Sequence, residues 1–404
     1  MLLINAQNKD KPVGEFDQKI PENLLNIVDK KRTNLLTWRG QFSPQLIEVL
    51  LDAYCLPDSV VLDPFSGSGT VLLEAGRLHR EAYGCEINPA AWILSQTYEL
   101  INEKSRHFLL NQVQQKIDQY FPFILFKTHA IDSVELQKII PEIKHELIEV
   151  NSQVIFNTLI ILLNLSEQPI TPEQIQSHFA KLRHLIETLP YSDKPIKSYL
   201  RDARQLPFSD NKIDFVITSP PYINVFNYHQ NYRKSAEILG WNLLKICRSE
   251  IGSNRANRGN RFYTVIQYCL DLADVLIELS RVSKKDARII LIVGHQSQVL
   301  GVPFYNSDIL EKIATRSGMY QIVLRQERQY KNKFGKMIQE DILNFYNLKI
   351  QINTEMIYDQ VREIAWEALN QGIACVSPKN LESLQIAMSK IEYLQGSPQL
   401  LETS

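Results

Sequence analysis

Ser59-Val60-Val61-Leu62-Asp63-Pro64-Phe65-Ser66-Gly67-Ser68-Gly69-Thr70 is the stretch that decides the fold. Ser59 to Leu62 reads as a short buried strand, and Gly67 and Gly69 let the backbone turn tightly and approach a ligand without a Cβ in the way. Thr70 to Leu78 then reads as a helix, whose first N–H groups have no partner inside the helix. Glu81 to Cys85 reads as the next strand and ends at Glu86. Strand, glycine turn, helix, strand and acid follow one another as in a βαβ unit of a doubly wound sheet.

Working outward, Ser198 to Arg201 reads as a strand ending at Asp202, and Lys212 to Thr218 as the next. Ala287 to Gly294 carries the run Ile289-Ile290-Leu291-Ile292-Val293, the pattern of a strand buried on both faces. Tyr320 to Arg325 and Ile342 to Leu348 suit a terminal hairpin. The expected class is therefore α/β, with a mostly parallel seven-stranded sheet. Ahead of the decisive stretch, Gln45 to Tyr54 has helical spacing, with Ser43 as N-cap and Pro44 at the first helical position. Residues 1–35 read as a polar arm and 36–350 as the main domain. Within it, about 100–195 reads as a helical insertion, with helices over 107–119 and 134–165. Residues 351–404 read as a C-terminal helical segment.

Bulk composition narrows the classes. The chain has 404 residues, 44% of them hydrophobic and 22% charged, which suits a globular protein with one large α/β domain with insertions, or two domains. A net charge of −1 means that any grip on a polyanion depends on local basic clusters. The five cysteines form no C-x-x-C pair, so neither a zinc site nor a redox pair is expected. The N-terminus lacks a secretory pattern, and the most apolar window, Val154 to Leu165, is too short for a bilayer. A cytoplasmic protein is expected.

Three acids fall at successive strand ends. Asp63 suits the ammonium of an amino-acid moiety, Glu86 a ribose diol, and Asp202 an adenine amino group. A dinucleotide fingerprint would need a third glycine where Leu72 stands. A nucleoside with a cationic amino-acid tail fits better, and S-adenosylmethionine answers that description.

Thr218-Ser219-Pro220-Pro221-Tyr222 follows the apolar run Phe215-Val216-Ile217. An exocyclic base amine is a poor nucleophile, because its lone pair is delocalised into the ring. The Ser219 side chain and the Pro220 carbonyl supply two acceptors for its hydrogens, and two prolines in succession fix the direction of that carbonyl. Tyr222 is suited to stack on the ring. No Pro-Cys dipeptide occurs, so the covalent cysteine route to carbon-5 methylation lacks its nucleophile.

These residues resemble the bacterial DNA amino-methyltransferases, which make N4-methylcytosine or N6-methyladenine. Phe42-Ser43-Pro44 is similar to their motif X, Asp63 to Thr70 to motif I, Glu86 to motif II, Asp202-Ala203 to motif III, and Ser219 to Tyr222 to motif IV. The resemblance covers roughly 38–100 and 196–350. It implies the class I methyltransferase fold and S-adenosylmethionine as cofactor. Phe42, Pro44, Asp63, Pro64, Phe65, Gly67, Ser68, Gly69, Thr70, Glu86, Asp202 and Ala203 would hold that cofactor. Ser219, Pro220, Pro221 and Tyr222 would hold the target amine. Double-stranded DNA is the implied partner, with a flipped base, and a restriction–modification setting implies a cognate endonuclease. Serine ahead of Pro-Pro-Tyr favours cytosine N4, whereas motifs X and I ahead of IV depart from many cytosine enzymes. Adenine N6 stays open, as do an RNA guanine-N2 enzyme and a silent DNA-recognition subunit.

Segments 225–262 and 325–336 are the candidates for DNA contact. In the first, Phe226, Tyr228 and Tyr232 interleave with His229 and Arg233, and Arg255, Arg258 and Arg261 follow in a Gly/Asn/Ser-rich setting. The second contributes Lys331 and Lys333.

Overall fold

The structure is a computed structural model, and it describes residues 17–122, 130–223, 227–253, 257, 259–332 and 335–399. A short helix, α1 (Glu22–Asn26), precedes α2 (Pro44–Tyr54). The unit expected from the decisive stretch follows as β1 (Val61–Asp63), α3 (Thr70–Arg77) and β2 (Ala82–Glu86). Next come α4 (Pro89–Gln96), a 3-10 helix (Thr97–Asn102), α5 (Arg106–Tyr120), α6 (Ser133–Glu146), α7 (Val150–Leu162) and α8 (Pro172–Glu187). The sheet resumes with β3 (Ile196–Leu200) and β4 (Ile213–Thr218). A 3-10 turn (Tyr228–Gln230), α9 (Arg233–Ile238) and α10 (Leu243–Ile246) lead to α11 (Tyr263–Val282) and β5 (Ser283–Gly294). The rest is a small hairpin of β6 (Gln296–Val299) and β7 (Val302–Tyr305), then α12 (Asn306–Arg316), β8 (Tyr320–Lys331), β9 (Met337–Asn347), α13 (Thr354–Gly372) and α14 (Pro378–Ser389).

The main sheet has seven strands in the order β3-β2-β1-β4-β5-β9-β8. The first five are parallel, and β9 runs antiparallel to both β5 and β8. This is the class I methyltransferase arrangement. Alternation along β5 shows how the sheet divides two cores: Ile290 and Ile292 enter one, and Ile289, Leu291 and Val293 the other. The first core lies under α2 to α8, the second under α11 to α14.

Several boundaries differ from expectation. The helix expected over 134–165 is two helices, broken between Glu146 and Val150. The hairpin strands β8 and β9, of 12 and 11 residues, are longer than the expected 320–325 and 342–348, because charged residues near their tip hid the pattern. Ser43 has an extended N-cap backbone but makes no side-chain capping bond, so Pro44 alone marks the start of α2. Residues 17–35, read as part of a polar arm, are built into the body. Leu25 is fully buried, Gln326 brackets the Ile20 backbone, and Arg288 bonds Asp17. Among the described residues, no helix is long and apolar enough to cross a membrane.

Gly69 is the residue on which the decisive turn depends. Its φ is +88°, and an added Cβ would stand 2.8 Å from Tyr98 Cδ2 and 3.0 Å from Ser95 Cβ. Gly69→Ala therefore combines left-handed strain with overpacking. It should lower stability by about 2–4 kcal/mol in denaturant unfolding; an unchanged midpoint would contradict this account of the turn.

Candidate active site

The order of the strands reverses between β1 and β4, since β1 pairs with β2 on one side and β4 on the other. A crevice opens there, outside the carboxyl ends of the parallel strands, as expected at a switch point. Its volume is about 840 Å³, counting space open to solvent. The β1 loop contributes Pro64, Phe65, Ser66, Gly67 and Thr70. Glu86 to Asn88 enter from β2, Arg201 to Ala203 from β3, and Ser219 and Pro221 from β4. Phe42 closes the side facing α2.

The three strand-end acids play different parts. Glu86 faces the crevice while its two oxygens accept from Gly67 N at 2.9 Å and Asn88 N at 2.8 Å. Desolvation outweighs those bonds and pushes its pKa up to about 7. Asp202 also lines the crevice, but Arg204 grips it. Arg204 Nε reaches Oδ1 at 2.9 Å, and Nη2 reaches Oδ2 at 2.6 Å. Asp63 departs from its expected role. It is 1% exposed and does not line the crevice. Its Oδ1 instead accepts from Thr218 Oγ1 at 2.6 Å and Phe65 N at 3.1 Å. It therefore fastens β4 to the β1 loop from within.

Three other expected cofactor residues likewise stand behind the wall. Ser68 Oγ donates to the Leu36 carbonyl at 3.2 Å, Gly69 packs on Tyr98 and Ser95, and Pro44 starts α2 in the core. Each supports the loop or the helix rather than facing the crevice.

At the end of β4, Ser219 and Pro221 face the crevice, and Pro220 is buried behind them. Ser219 Oγ lies 3.2 Å from the Tyr222 hydroxyl, which also reaches Glu340 Oε1 at 3.5 Å. Arg328 Nε and the Tyr330 hydroxyl donate to the same Glu340. The hairpin β8–β9 thus holds the Tyr222 ring, whose burial raises its hydroxyl pKa well above the usual tyrosine value.

The expected DNA residues scatter. Tyr228 lines the same crevice as Ser219 and Pro221, and His229 is fully buried against Glu250, so His229 is not placed to meet DNA. Aromatic residues beside basic ones looked like a surface loop, but the 3-10 turn folds both inward. Arg233 bonds Glu237 on α9, Arg261 is half-buried ahead of α11, and Lys331 is exposed near the hairpin tip. Arg255, Arg258, Lys333 and Phe226 lie outside the described residues. Sequence reasoning missed Trp38 to Gln41, next to the motif X match, and Ser249 to Ile251, which also line the crevice. The one signal for the second group was Glu250, a lone acid in a basic stretch.

The DNA methylase family pattern matches residues 5–96. The type II methyltransferase M.BsoBI of Geobacillus stearothermophilus is 24% identical over 272 residues, covering 53% of each chain. M.MjaII of Methanocaldococcus jannaschii is 26% identical over 103 residues, 26% of this chain and 19% of that one. In its family match and in these two relatives, the chain is similar to DNA methyltransferases. It spans about half the length of the first relative and about a fifth of the second. Among solved structures, a methyltransferase of Methanosarcina mazei overlaps 74% of this chain and 97% of its own, at 10% identity and a TM-score of 0.36.

The cofactor that goes with this family is S-adenosylmethionine, and the crevice fits it. Ser66 Oγ and Asn88 Nδ2 are buried on residues that line the crevice, and neither has a partner among the described residues. Buried polar atoms are nearly always paired, so these two await a ligand with hydroxyl, amine or ring-nitrogen groups. A nucleoside supplies them.

Asp63 makes stability depend on pH. Burial, the largest cause, raises its pKa from 3.8 to about 7. A carboxyl raised on folding favours the folded state fully below its unfolded value. That contribution disappears as pH rises through about 7. Thermal unfolding should show stability declining across this window, and Asp63→Asn, which keeps an acceptor for Thr218 and Phe65, should flatten the decline. Equal slopes in both proteins would remove Asp63 as the cause.

Proposed function

We propose that the chain transfers a methyl group from S-adenosylmethionine to the exocyclic amine of a base flipped out of double-stranded DNA, with cytosine N4 as the target. The observation that carries this reading is that Ser219 and Pro221 share one crevice with Glu86 and Asp202. An amine held at Ser219 would therefore lie within the same cavity as the cofactor.

When bound, the cofactor supplies an electrophilic methyl on a sulfonium. The chain's own residues act on the amine and on geometry. Ser219 Oγ and the Pro220 carbonyl accept the two amine hydrogens and turn the nitrogen's lone pair toward the methyl. Because Tyr222 is held through Ser219 and Glu340, the acceptors and the stacking ring keep one relative position. Such positioning accounts for much of the rate of a displacement needing in-line approach. The proton leaves to water after transfer, since among the described residues no side chain at Ser219 stands out as its base.

Serine ahead of Pro-Pro-Tyr supports cytosine, and the motif order keeps adenine N6 as the second reading. Arg233, Arg261 and Lys331 are proposed phosphate contacts. A restriction–modification role with a partner endonuclease, in the cytoplasm, completes the reading.

Incubation with labelled S-adenosylmethionine and DNA, followed by identification of the modified base, tests it. Modified cytosine N4 is the expected product. Ser219→Ala should lower kcat by about a hundredfold or more, the loss typical of one preorganised polar group, with cofactor affinity unchanged. Equal losses in both would remove Ser219 from the amine site.

A further inference from the structure

Ser249-Glu250-Ile251-Gly252 joins the cofactor side of the crevice to the amine side, and it carries a carboxylate outside every motif recognised in the sequence. Arg204 Nη2, while holding Asp202, also donates to the Ser249 carbonyl at 3.2 Å. The residue before Glu250 is thereby tied to the acid beyond β3. On the other flank, Gly252 has φ +69°, and an added Cβ would stand 2.6 Å from the Tyr222 carbonyl oxygen. The segment thus runs hard against the backbone of the Ser-Pro-Pro-Tyr box.

Glu250 lies between these two fixed points and lines the crevice. Its side chain is 4% exposed, and His229, at 0%, donates from Nδ1 to its Oε2 at 2.9 Å. The other oxygen, Oε1, is buried and has no partner among the described residues. A carboxylate taken out of water with one oxygen unsatisfied is costly unless a donor arrives. Two neighbours locate it along the crevice. Its negative charge opposes ionisation of both Glu86 and Tyr228, so it stands close to both.

We propose that Glu250 is a further cofactor-binding residue, whose Oε1 accepts a hydrogen from a hydroxyl or amine of the cofactor's nucleoside, and that His229 is the positioning residue that aims it. The proposal rests on the S-adenosylmethionine reading of the crevice. The nucleoside is the part chosen because Glu86 and the Asp202–Arg204–Ser249 chain, at the ends of β2 and β3, surround Glu250.

Glu250→Gln keeps the shape and removes the charge. The full chain and this variant are titrated calorimetrically with S-adenosylhomocysteine and with 5′-methylthioadenosine, which lacks the amino-acid tail. Glu250→Gln should weaken both ligands by the same factor, about tenfold or more, as for loss of one bond to a charged acceptor. His229→Asn should weaken both as well, yet add nothing in the Glu250→Gln background, because it acts only through that carboxylate. Cooperative unfolding of each variant checks that the fold is kept. Weakening of S-adenosylhomocysteine alone would assign Glu250 to the tail and overturn the proposal. Additive losses would overturn the role of His229. Wild-type binding with unchanged Glu250→Gln affinities sinks this proposal alone, whereas a wild type that binds neither ligand sinks the cofactor reading with it.

Discussion

The reversal of strand order between β1 and β4 is the constraint on which the site depends. Connections leave these two neighbours toward opposite ends of the sheet, so nothing covers their carboxyl ends and a crevice must open there. Residues following β1 and β4 then face one another whatever their distance in sequence. Asp63 and Thr218 show how tightly the two ends are drawn together: a carboxylate of one strand accepts the hydroxyl of the other at 2.6 Å, fully buried.

Around that opening the molecule divides the work of its acids. A carboxylate inside the wall, such as Asp63, holds strands and loops together. Glu86 does both jobs, accepting backbone N–H groups while facing the crevice. Asp202 is neutralised by Arg204, which is also bonded to Asp271 and to the carbonyls of Ser397 and Pro398. One buried guanidinium thereby connects the Asp202 side of the crevice to α11 and to the segment after α14. Such a group is strongly held only because nearly all its donors are used.

Much of the fold was legible because its signals are local. The glycine turn, the strand-end acids and the apolar run of β5 each announce themselves within a few residues, and the parallel order followed from them. The length of β8 and β9 was not legible, since alternation fades where charged side chains occupy both faces near the tip. The burial of residues 17–35 was hidden too. A polar segment with a few apolar anchors looks like an arm until Leu25 and Ile20 are seen against the body.

The sequence by itself determined the chemistry on offer: which strand ends carry acids, where the backbone turns, and that a serine precedes two prolines and a tyrosine. Those features are set by neighbouring residues and by backbone sterics. Only the tertiary structure decided which of these groups face the crevice and which stand behind it. Asp63 went inside, His229 turned from a surface candidate into a buried partner, and Glu250 came in from a basic stretch to the crevice wall. Burial and pairing are properties of residues far apart in the chain, and no local pattern records them.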